Sequence, residues 1–268
     1  MSDTVAKNLN WSSIDEQIKL YGHAPPFDHV VIDNFFDNQF ALQLSSEFPE
    51  VGSDIWHGYN NPLEIKLTNN IWNNFGVETY KTFSYLNSDA FIRYISKKCS
   101  INNPLFPDSG LNGGGWHVHG PGGKLNTHLD YSMHPKLKMQ RKLNLIVYLN
   151  PNWQQSWGGS LGLWDNSSAR EPGDLRKQIP CIFNRAVIFD TTQNSWHGLP
   201  EPIQAPADEL RKSIAVYYLI EATADVDERG KALYAPTKDQ ENDAKILSLI
   251  KKRSNITTAH STYKDDNG

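Results

Sequence analysis

A chain of 268 residues, of which 38% are hydrophobic, is long enough to bury a sizeable core as one large domain or two small ones. The formal net charge of −4 argues against a broad basic surface, and therefore against nucleic-acid binding through bulk electrostatic attraction. The polar N-terminus does not resemble a signal peptide and no apolar stretch is long enough to span a bilayer, so we expect a cytoplasmic protein without membrane contact. Cys99 and Cys181 are far apart in sequence and are expected to be buried, reduced thiols.

The first third of the chain is predicted to be mainly helical. A short strand is predicted at His29–Ile32. Asp37 is a typical N-cap residue for the helix that follows, because the apolar residues after it recur on one helical face. Helical spacing returns at Val77–Leu86, and Ser88 is the predicted N-cap of a third helix. Residues 50–70 are rich in Asn and Gly and are predicted to form a loop.

The pattern changes after Pro104, where glycine-rich segments alternate with short apolar runs. These runs predict antiparallel strands, because turn-forming residues separate them and no long helix intervenes. The strands are predicted at residues 116–119, 127–130, 142–149, 160–164, 186–190 and 213–220. The predicted fold class is therefore a mainly β jelly roll with the N-terminal helices packed on one sheet.

One folded domain is expected at residues 26–225, with its helical part at 26–105 and the jelly-roll core at 106–225. A loosely ordered lead-in is expected at residues 1–25. Residues 226–268 are mostly polar and are expected to form a C-terminal tail, because such a segment has little apolar surface to bury.

Two histidines and one aspartate form a candidate metal site. Residues i and i+2 of a strand point to the same face, so His128 and Asp130 project together while Leu129 points away. His197 follows the predicted strand at 186–190 and can supply a third ligand from a distant part of the chain. Two imidazoles and one carboxylate on one face of an octahedron leave positions for O2 and a co-substrate, as in non-haem Fe(II) oxygenases. Alone, the His-x-Asp pattern is common by chance and is equally explained by a core histidine.

Polar residues on two further strands can form a site for an acid. Arg211 opens a predicted strand on which Ser213 shares its face, and a buried arginine at a strand end can form a bidentate pair with a carboxylate. On the strand at 142–149, Asn144 and Tyr148 share a face and can donate hydrogen bonds to the same acid. The alternatives are that Arg211 is exposed to solvent and that Tyr148 packs in the core with its hydroxyl bonded to the backbone.

In these segments the sequence resembles the Fe(II)/2-oxoglutarate-dependent dioxygenases, and within them the prolyl 4-hydroxylase-like group with its bacterial and phage members. The resemblance covers roughly residues 25–225 and rests on several motifs in the expected order. They are GGGWH at 113–117, PGG at 121–123, HLD at 128–130, RKLNLIVYLN at 141–150, WGGSLGLWD at 157–165, FNRAVIF at 183–189, SWHG at 195–198 and RKS at 211–213. Leu125 departs from the pattern, because other branches of the family often carry a tyrosine there.

The resemblance implies a double-stranded β-helix in which His128, Asp130 and His197 ligate Fe(II). It also implies a reaction in which 2-oxoglutarate and O2 are consumed, succinate and CO2 are released, and a substrate is hydroxylated. In such a reaction the metal and co-substrate carry the chemistry, while the protein positions the reactants. L-ascorbate is a further candidate cofactor.

The resemblance also implies a binding site for the co-substrate. Arg211 matches the basic residue that binds the distal carboxylate of 2-oxoglutarate. Tyr148 matches a tyrosine that often joins it, and Ser213 and Asn144 are further candidate contacts. The implied enzyme is a hydroxylase that acts on a prolyl residue or on free proline.

Several alternatives remain open from sequence alone. The substrate can be a residue in a peptide or a small molecule such as an amino acid or a sugar-linked metabolite. A basic loop at 132–141 either covers the site and favours an anionic substrate or is simply solvated. A non-catalytic cupin-type binding protein is the other class, for which His117 and His119 offer an HxH pair. Nucleic-acid demethylases of the superfamily are disfavoured, because Tyr217 stands where they carry a second arginine.

Overall fold

The computed structural model describes residues 2–168, 170–224, 226, 227, 229 and 231–254, with side chains from residue 5 onward. The α-helices within this part of the chain are α1 (Ser2–Asn8), α2 (Trp11–Gln17), α3 (Asn38–Ser46), α4 (Val77–Leu86), α5 (Asp89–Lys98) and α6 (Ala244–Ser254). Both predicted N-caps are confirmed: the Asp37 carboxylate accepts from two backbone N–H groups of α3, and the Ser88 hydroxyl accepts from the Phe91 N–H. No helix in the described part of the chain is both long enough and apolar enough to cross a membrane.

The strands form two antiparallel sheets. Their bounds are β1 (His29–Ile32), β2 (His57–Asn61), β3 (Glu64–Asn69), β4 (Phe106–Pro107), β5 (Gly115–His119), β6 (Lys124–Leu125), β7 (His128–Leu129), β8 (Gln140–Tyr148), β9 (Leu161–Ser168), β10 (Glu171–Ile179), β11 (Ala186–Asp190), β12 (His197–Gly198), β13 (Arg211–Ile220) and β14 (Leu233–Tyr234). The large sheet has the order β1-β11-β8-β13-β5-β3-β2, and β4 and β6 pair with β13 and β3 respectively. The small sheet has the order β10-β9-β12-β7-β14. The predicted double-stranded β-helix with flanking helices is confirmed.

The large sheet has two faces with different roles. Alternate residues of its central strands pack against the helices in one large hydrophobic core, which includes Val147, Ile188 and Ile214. On the opposite face, Tyr148 and Phe189 pack in a second cluster with Leu163 of the small sheet. Other residues of this face line a cavity between the two sheets. The helices therefore support one side of this sheet and leave its other side for the site.

The described residues before Pro26 are not a loosely ordered lead-in. They include α1, α2 and a short 3-10 helix at Ile18–Leu20, and the side chains of Val5, Leu9, Ile14 and Ile18 are buried in the main core. These residues recur at intervals of four and five, so that all four face the same core. The polar residues between them hid this pattern in the sequence.

The prediction of a loop at residues 50–70 is wrong, because β2 and β3 form a hairpin there. Asn61 shapes its turn, since its side-chain oxygen accepts from the backbone N–H groups of Leu63 and Glu64. Both strands are polar because residues of both line the cavity. They therefore lack the apolar alternation that identifies a strand in sequence.

Part of the segment expected to be a tail belongs to the fold. Strand β14 pairs with β7, so that Leu233 lies opposite Leu129 and Tyr234 lies opposite His128. The Asn126 side chain donates to the Ala235 carbonyl and to the Gln240 side chain, which ties the segment down further. Helix α6 continues the ordered part of this segment as far as Ser254, and residues 255–268 of the expected tail lie outside the described residues.

Candidate metal centre and active-site cavity

Three predicted ligands converge where β7 and β12 pair. His128 and His197 are direct cross-strand partners, with ring centroids 4.3 Å apart. Asp130 follows β7, and its two carboxylate oxygens lie 3.6 Å from His128 Nε2 and 3.9 Å from His197 Nε2. One ligand atom from each residue lies within 4.8 Å of the others, and no other such group of three occurs in the described part of the chain.

Backbone carbonyls orient both imidazoles. His128 Nδ1 lies 2.9 Å from the Asn126 carbonyl oxygen, and His197 Nδ1 lies 2.8 Å from the Ser195 carbonyl oxygen. When Nδ1–H donates to these oxygens, each Nε2 presents its lone pair toward Asp130, which is the usual orientation of a metal-binding histidine.

The protonation states suit a divalent cation. Burial lowers the pKa of His197 to about 4, so this imidazole is neutral near pH 7. Burial alone would raise the pKa of Asp130, but His197, His128 and Arg141 lower it well below its usual range. Two imidazoles and one ionised carboxylate form a donor set that fits Fe(II).

Two residues beside Asp130 hold its carboxylate. The Tyr217 hydroxyl donates to one oxygen at 2.9 Å, and Arg141 Nη1 lies 3.9 Å from the other. The Arg141 guanidinium lies between the rings of Tyr131 and Tyr217, 3.4 Å from each centroid. It also donates to the Asn112 carbonyl. Sequence reasoning placed Arg141 at the end of a basic loop and missed this role.

A further aromatic ring, from the C-terminal segment, supports the candidate ligand His128. Tyr234 stacks on His128, with ring centroids 5.1 Å apart and an interplanar angle of 21°. The guanidinium of Arg253, on α6, lies over the Tyr234 ring, 4.5 Å from its centroid. The sequence did not indicate a site role for Tyr234, because its strand β14 has only two residues and follows a long polar stretch.

Three of the four predicted acid-binding residues line the same cavity, which has a volume of about 670 Å³, and Tyr148 lies beside it. Arg211 is buried, its Nε donates to the Gly159 carbonyl at 2.7 Å, and its guanidinium lies 4.8 Å from the Tyr148 ring centroid. Burial raises the pKa of Tyr148 to about 12, so its hydroxyl remains a donor. That hydroxyl is buried without a hydrogen-bond partner among the described residues. A carboxylate beside Arg211 would satisfy it.

The other two predicted contacts are close by. Ser213 lies opposite Tyr148 in the pairing of β13 with β8, and Asn144 lies opposite Tyr217. Both Ser213 and Asn144 line the cavity. The Asn144 side-chain oxygen has no hydrogen-bond partner in the described residues, which leaves it available to a ligand. Arg211, Ser213 and Asn144 thus share the cavity with the three metal ligands, and Tyr148 lies next to Arg211.

The HxH pair does not form a second metal site with a carboxylate in the described part of the chain. His117 and His119 both line the cavity from β5, the strand next to β13. His134, in contrast, faces Asp108, with Nε2 3.4 Å from the carboxylate, and its Nδ1 accepts two backbone N–H bonds. The HxH pair is therefore a feature of the cavity surface, and the cupin-type ligand set is absent from the described residues.

Comparison with known proteins agrees with this geometry. A sequence profile of the 2OG-Fe(II) oxygenase superfamily matches residues 114–246. The prolyl 3-hydroxylase OGFOD1 of Mus musculus is 29% identical over 70 residues, which are 26% of this chain and 13% of the mouse protein. OGFOD1 of Xenopus laevis is 34% identical over 61 residues, 23% of this chain and 12% of that protein. The chain therefore matches only a small part of the length of these relatives.

Solved structures show the same fold at low sequence identity. A prolyl-4-hydroxylase of Pseudomonas putida has a TM-score of 0.53 and 14% identity, covering 79% of this chain and 98% of that one. A prolyl hydroxylase of Trichoplax adhaerens, in complex with a hypoxia inducible factor peptide fragment, has a TM-score of 0.50 and 18% identity, covering 78% and 88%. HygX of Streptomyces hygroscopicus, with nickel and 2-oxoglutarate bound, has a TM-score of 0.50 and 12% identity, covering 87% and 94%.

Proposed function

We propose an activity for this chain from the premise that it belongs to the 2OG-Fe(II) oxygenase superfamily, whose members use Fe(II), 2-oxoglutarate and O2. It is a 2-oxoglutarate-dependent dioxygenase that hydroxylates its substrate and releases succinate and CO2. The observation that carries this proposal is the convergence of His128, Asp130 and His197 in a cavity that also holds a buried, ligand-facing Arg211. All three ligands of an iron centre are present, which argues against a non-catalytic binding protein.

Each side chain has a defined task in this activity. His128, Asp130 and His197 would hold Fe(II), and the bound iron supplies O2 activation and hydrogen abstraction from the substrate. Arg211 binds the distal carboxylate of 2-oxoglutarate through a charge-assisted pair, and the Tyr148 hydroxyl donates to the same carboxylate. Their burial between the two sheets keeps bulk water away from the reacting groups and strengthens these contacts.

For the substrate we favour a prolyl residue or free proline. Its support is the group of prolyl hydroxylases that the chain resembles in sequence and fold. A small metabolite is the second candidate, supported by the many charged and polar side chains that line the cavity. L-ascorbate is included as an optional reductant in the assays.

The proposed activity is tested through succinate formation. We expect Fe(II)- and 2-oxoglutarate-dependent release of succinate, which is stimulated when the substrate is added from a panel of prolyl peptides, free amino acids and metabolites. His128→Ala and Asp130→Ala should abolish this release because each removes one iron ligand, while circular dichroism shows an unchanged fold. The exposed His23 provides the control variant His23→Ala, which should retain full turnover. Undiminished turnover in the ligand variants would contradict the assignment.

A second prediction concerns the co-substrate site. Arg211→Ala should raise the KM for 2-oxoglutarate by about tenfold or more, because a buried carboxylate loses its charged partner. Arg176→Ala is the matched control, since Arg176 is half exposed and pairs with the surface residue Asp165. Steady-state succinate assays at varied 2-oxoglutarate concentration measure the effect. Equal KM values for the two variants would remove Arg211 from the site.

A further inference from the structure

The cavity is positively charged although the chain is not. Of its described lining residues, six are Lys or Arg and two are Asp or Glu, whereas the whole chain has a net charge of −4. Bound Fe(II) and 2-oxoglutarate have opposite charges of equal size, so loading the site does not remove this excess. Such a concentration of positive charge in a cleft attracts a negatively charged ligand.

One part of the cavity surface contains polar groups that the proposed chemistry leaves unused. We name it the β3–β5 wall, and it consists of Lys66 and Thr68 of β3 with His117 and His119 of β5. All four residues line the cavity, and Thr68 lies directly opposite His117 in the pairing of the two strands. The wall adjoins β13, where Arg211 lies opposite His119. It is therefore next to the co-substrate site but separate from the iron ligands.

Both imidazoles of the β3–β5 wall have buried ring nitrogens without a hydrogen-bond partner among the described residues. His119 is 2% exposed, and neither of its ring nitrogens has a partner among the described residues. His117 Nε2 is also buried and unpartnered in that part of the chain. Buried polar atoms are normally satisfied, so three such atoms in one cavity indicate a ligand that supplies the missing bonds.

The charge of the β3–β5 wall selects the kind of ligand. Burial lowers the pKa of His117 to about 3 and that of His119 well below its usual range, and the nearby Lys66 and Arg211 add to both effects. The imidazoles are therefore neutral within the field of cations. The single N–H of neutral His119 can donate to a ligand, whereas His117 donates to the backbone carbonyls of Gly113 and Gly114. Glu64 is 3.0 Å from Lys66 but also 2.7 Å from Arg253, so this one carboxylate is shared between two cations.

We propose that the β3–β5 wall binds an anionic group of the substrate, a carboxylate or a phosphate, so that the hydroxylated molecule is an acid. The inference rests on the proposed function, because the substrate must lie beside the iron. Lys66 supplies the charge and the His119 N–H supplies the hydrogen bond, while the neutral His117 ring lies beside the bound group. Free proline meets this requirement through its α-carboxylate. An internal prolyl residue meets it only when a neighbouring group of the peptide is acidic.

The test uses simple anions as probes of the loaded protein. Protein with 15N-labelled histidines is loaded with Zn(II) and saturating 2-oxoglutarate, then titrated with sulfate, as a stand-in for phosphate, or with acetate at constant ionic strength. We expect saturable shifts of the His117 and His119 imidazole resonances with at least one anion. The tighter anion then distinguishes a phosphate from a carboxylate as the recognised group.

Three variants locate the bound anion. Lys66→Met should weaken its binding by about tenfold, because it removes one charge-assisted contact. His119→Leu should weaken it by a similar factor without a change of charge, which covers the case in which Lys66→Met does not fold. Lys138→Met is the matched control at an exposed lysine of the same cavity and should change the Kd less than about twofold.

Two results would overturn the inference. One is the absence of shifts at His117 and His119 with both anions. The other is a Lys138→Met effect as large as that of Lys66→Met, which would mean attraction by the cavity as a whole. The proposed function is judged separately, through the visible absorption of the anaerobic Fe(II)–2-oxoglutarate complex. If this absorption forms and the anions do not bind, the substrate inference fails and the proposed function stands.

Discussion

At the scale of single residues, two adjacent tyrosines of β13 show how strand alternation directs one side chain to the cavity and the next to the helical core. Tyr217 points into the cavity, and its hydroxyl donates to Asp130 at 2.9 Å. Tyr218 points to the helical side, and its hydroxyl donates to the Leu86 carbonyl at 3.0 Å. Both are buried and both make one hydrogen bond. They therefore form a matched pair: the Tyr217 hydroxyl supports the candidate metal ligand Asp130, and the Tyr218 hydroxyl supports the core.

Loss of the Tyr217 hydroxyl should weaken the metal site. Tyr217→Phe is expected to lower the affinity for Fe(II) by about tenfold or more, because a residue that orients a metal ligand contributes to metal affinity on that scale. Tyr218→Phe should leave the affinity unchanged and lower the free energy of unfolding by about 1 kcal/mol. Anaerobic Fe(II) titration and urea unfolding measure the two quantities. Equal Fe(II) affinities for both variants would rule out the orienting role of Tyr217.

Arg141 was not predictable as a cavity residue because the backbone of its strand is irregular. Regular alternation from Asn144 and Tyr148 would turn Lys142 inward. The pairing of β8 with β13 shifts register between Tyr218 and Leu219, so Arg141 turns toward Asp130 instead. Lys142 pairs with Asp190, 2.5 Å away. A bulge leaves no mark in the hydrophobic pattern. The HLD motif, which begins on β7, and the RKS motif, which opens β13, lie outside such a bulge and could be identified from the sequence.

At the scale of elements, Glu64 joins β3 to the C-terminal helix α6. Its carboxylate is buried and contacts Lys66 on its own strand and Arg253 on α6. Burial alone would raise the pKa of Glu64, but the two cations lower it from 4.5 to about 2. The ionised form therefore stabilises the folded state, and the C-terminal segment is held to the sheet by a charge that acid can remove.

The consequence is a defined dependence of stability on pH. The folded-state pKa lies below the unfolded one, so the contribution of Glu64 is complete above about pH 4.5 and is lost as the pH falls toward 2. Its size is about 3 kcal/mol by linkage. Glu64→Gln should remove this part of the acid sensitivity in urea unfolding between pH 7 and pH 2.5. Glu78→Gln, at a more exposed pair with Lys81, should reproduce the wild-type slope.

Helices and strands with regularly spaced apolar residues or a capping residue were predictable, and elements made mostly of polar residues were not. α3, α4, α5 and β11 appear close to their expected positions, because apolar spacing and capping residues mark them. The hairpin of β2 and β3 was missed because its residues face a polar cavity and the sheet edge. Strand β10 was missed for the same reason, since most of its residues are exposed.

At the scale of the whole molecule, the fold follows from two separate demands on one sheet. Its outer face must be apolar to receive the helices, and its inner face must be polar to hold ligands. Short strands with this mixed character predict a jelly roll, which the structure confirms. The convergence of the three candidate metal ligands was also predictable from their motifs. The cationic excess of the cavity was not, because it depends on residues gathered from distant parts of the chain.

Strand β5 shows this difference between an apolar outer face and a polar inner face most clearly. Trp116 and Val118 are buried among the helices, while His117 and His119 line the cavity. Gly115 begins the strand with a φ of +91°, where a Cβ would lie 2.2 Å from the Asn69 carbonyl oxygen, so this end of the strand admits only glycine. An insertion or deletion of one residue here would bury an imidazole among the helices and turn an indole into the cavity. Length variation during evolution should therefore spare these five positions even where individual side chains drift.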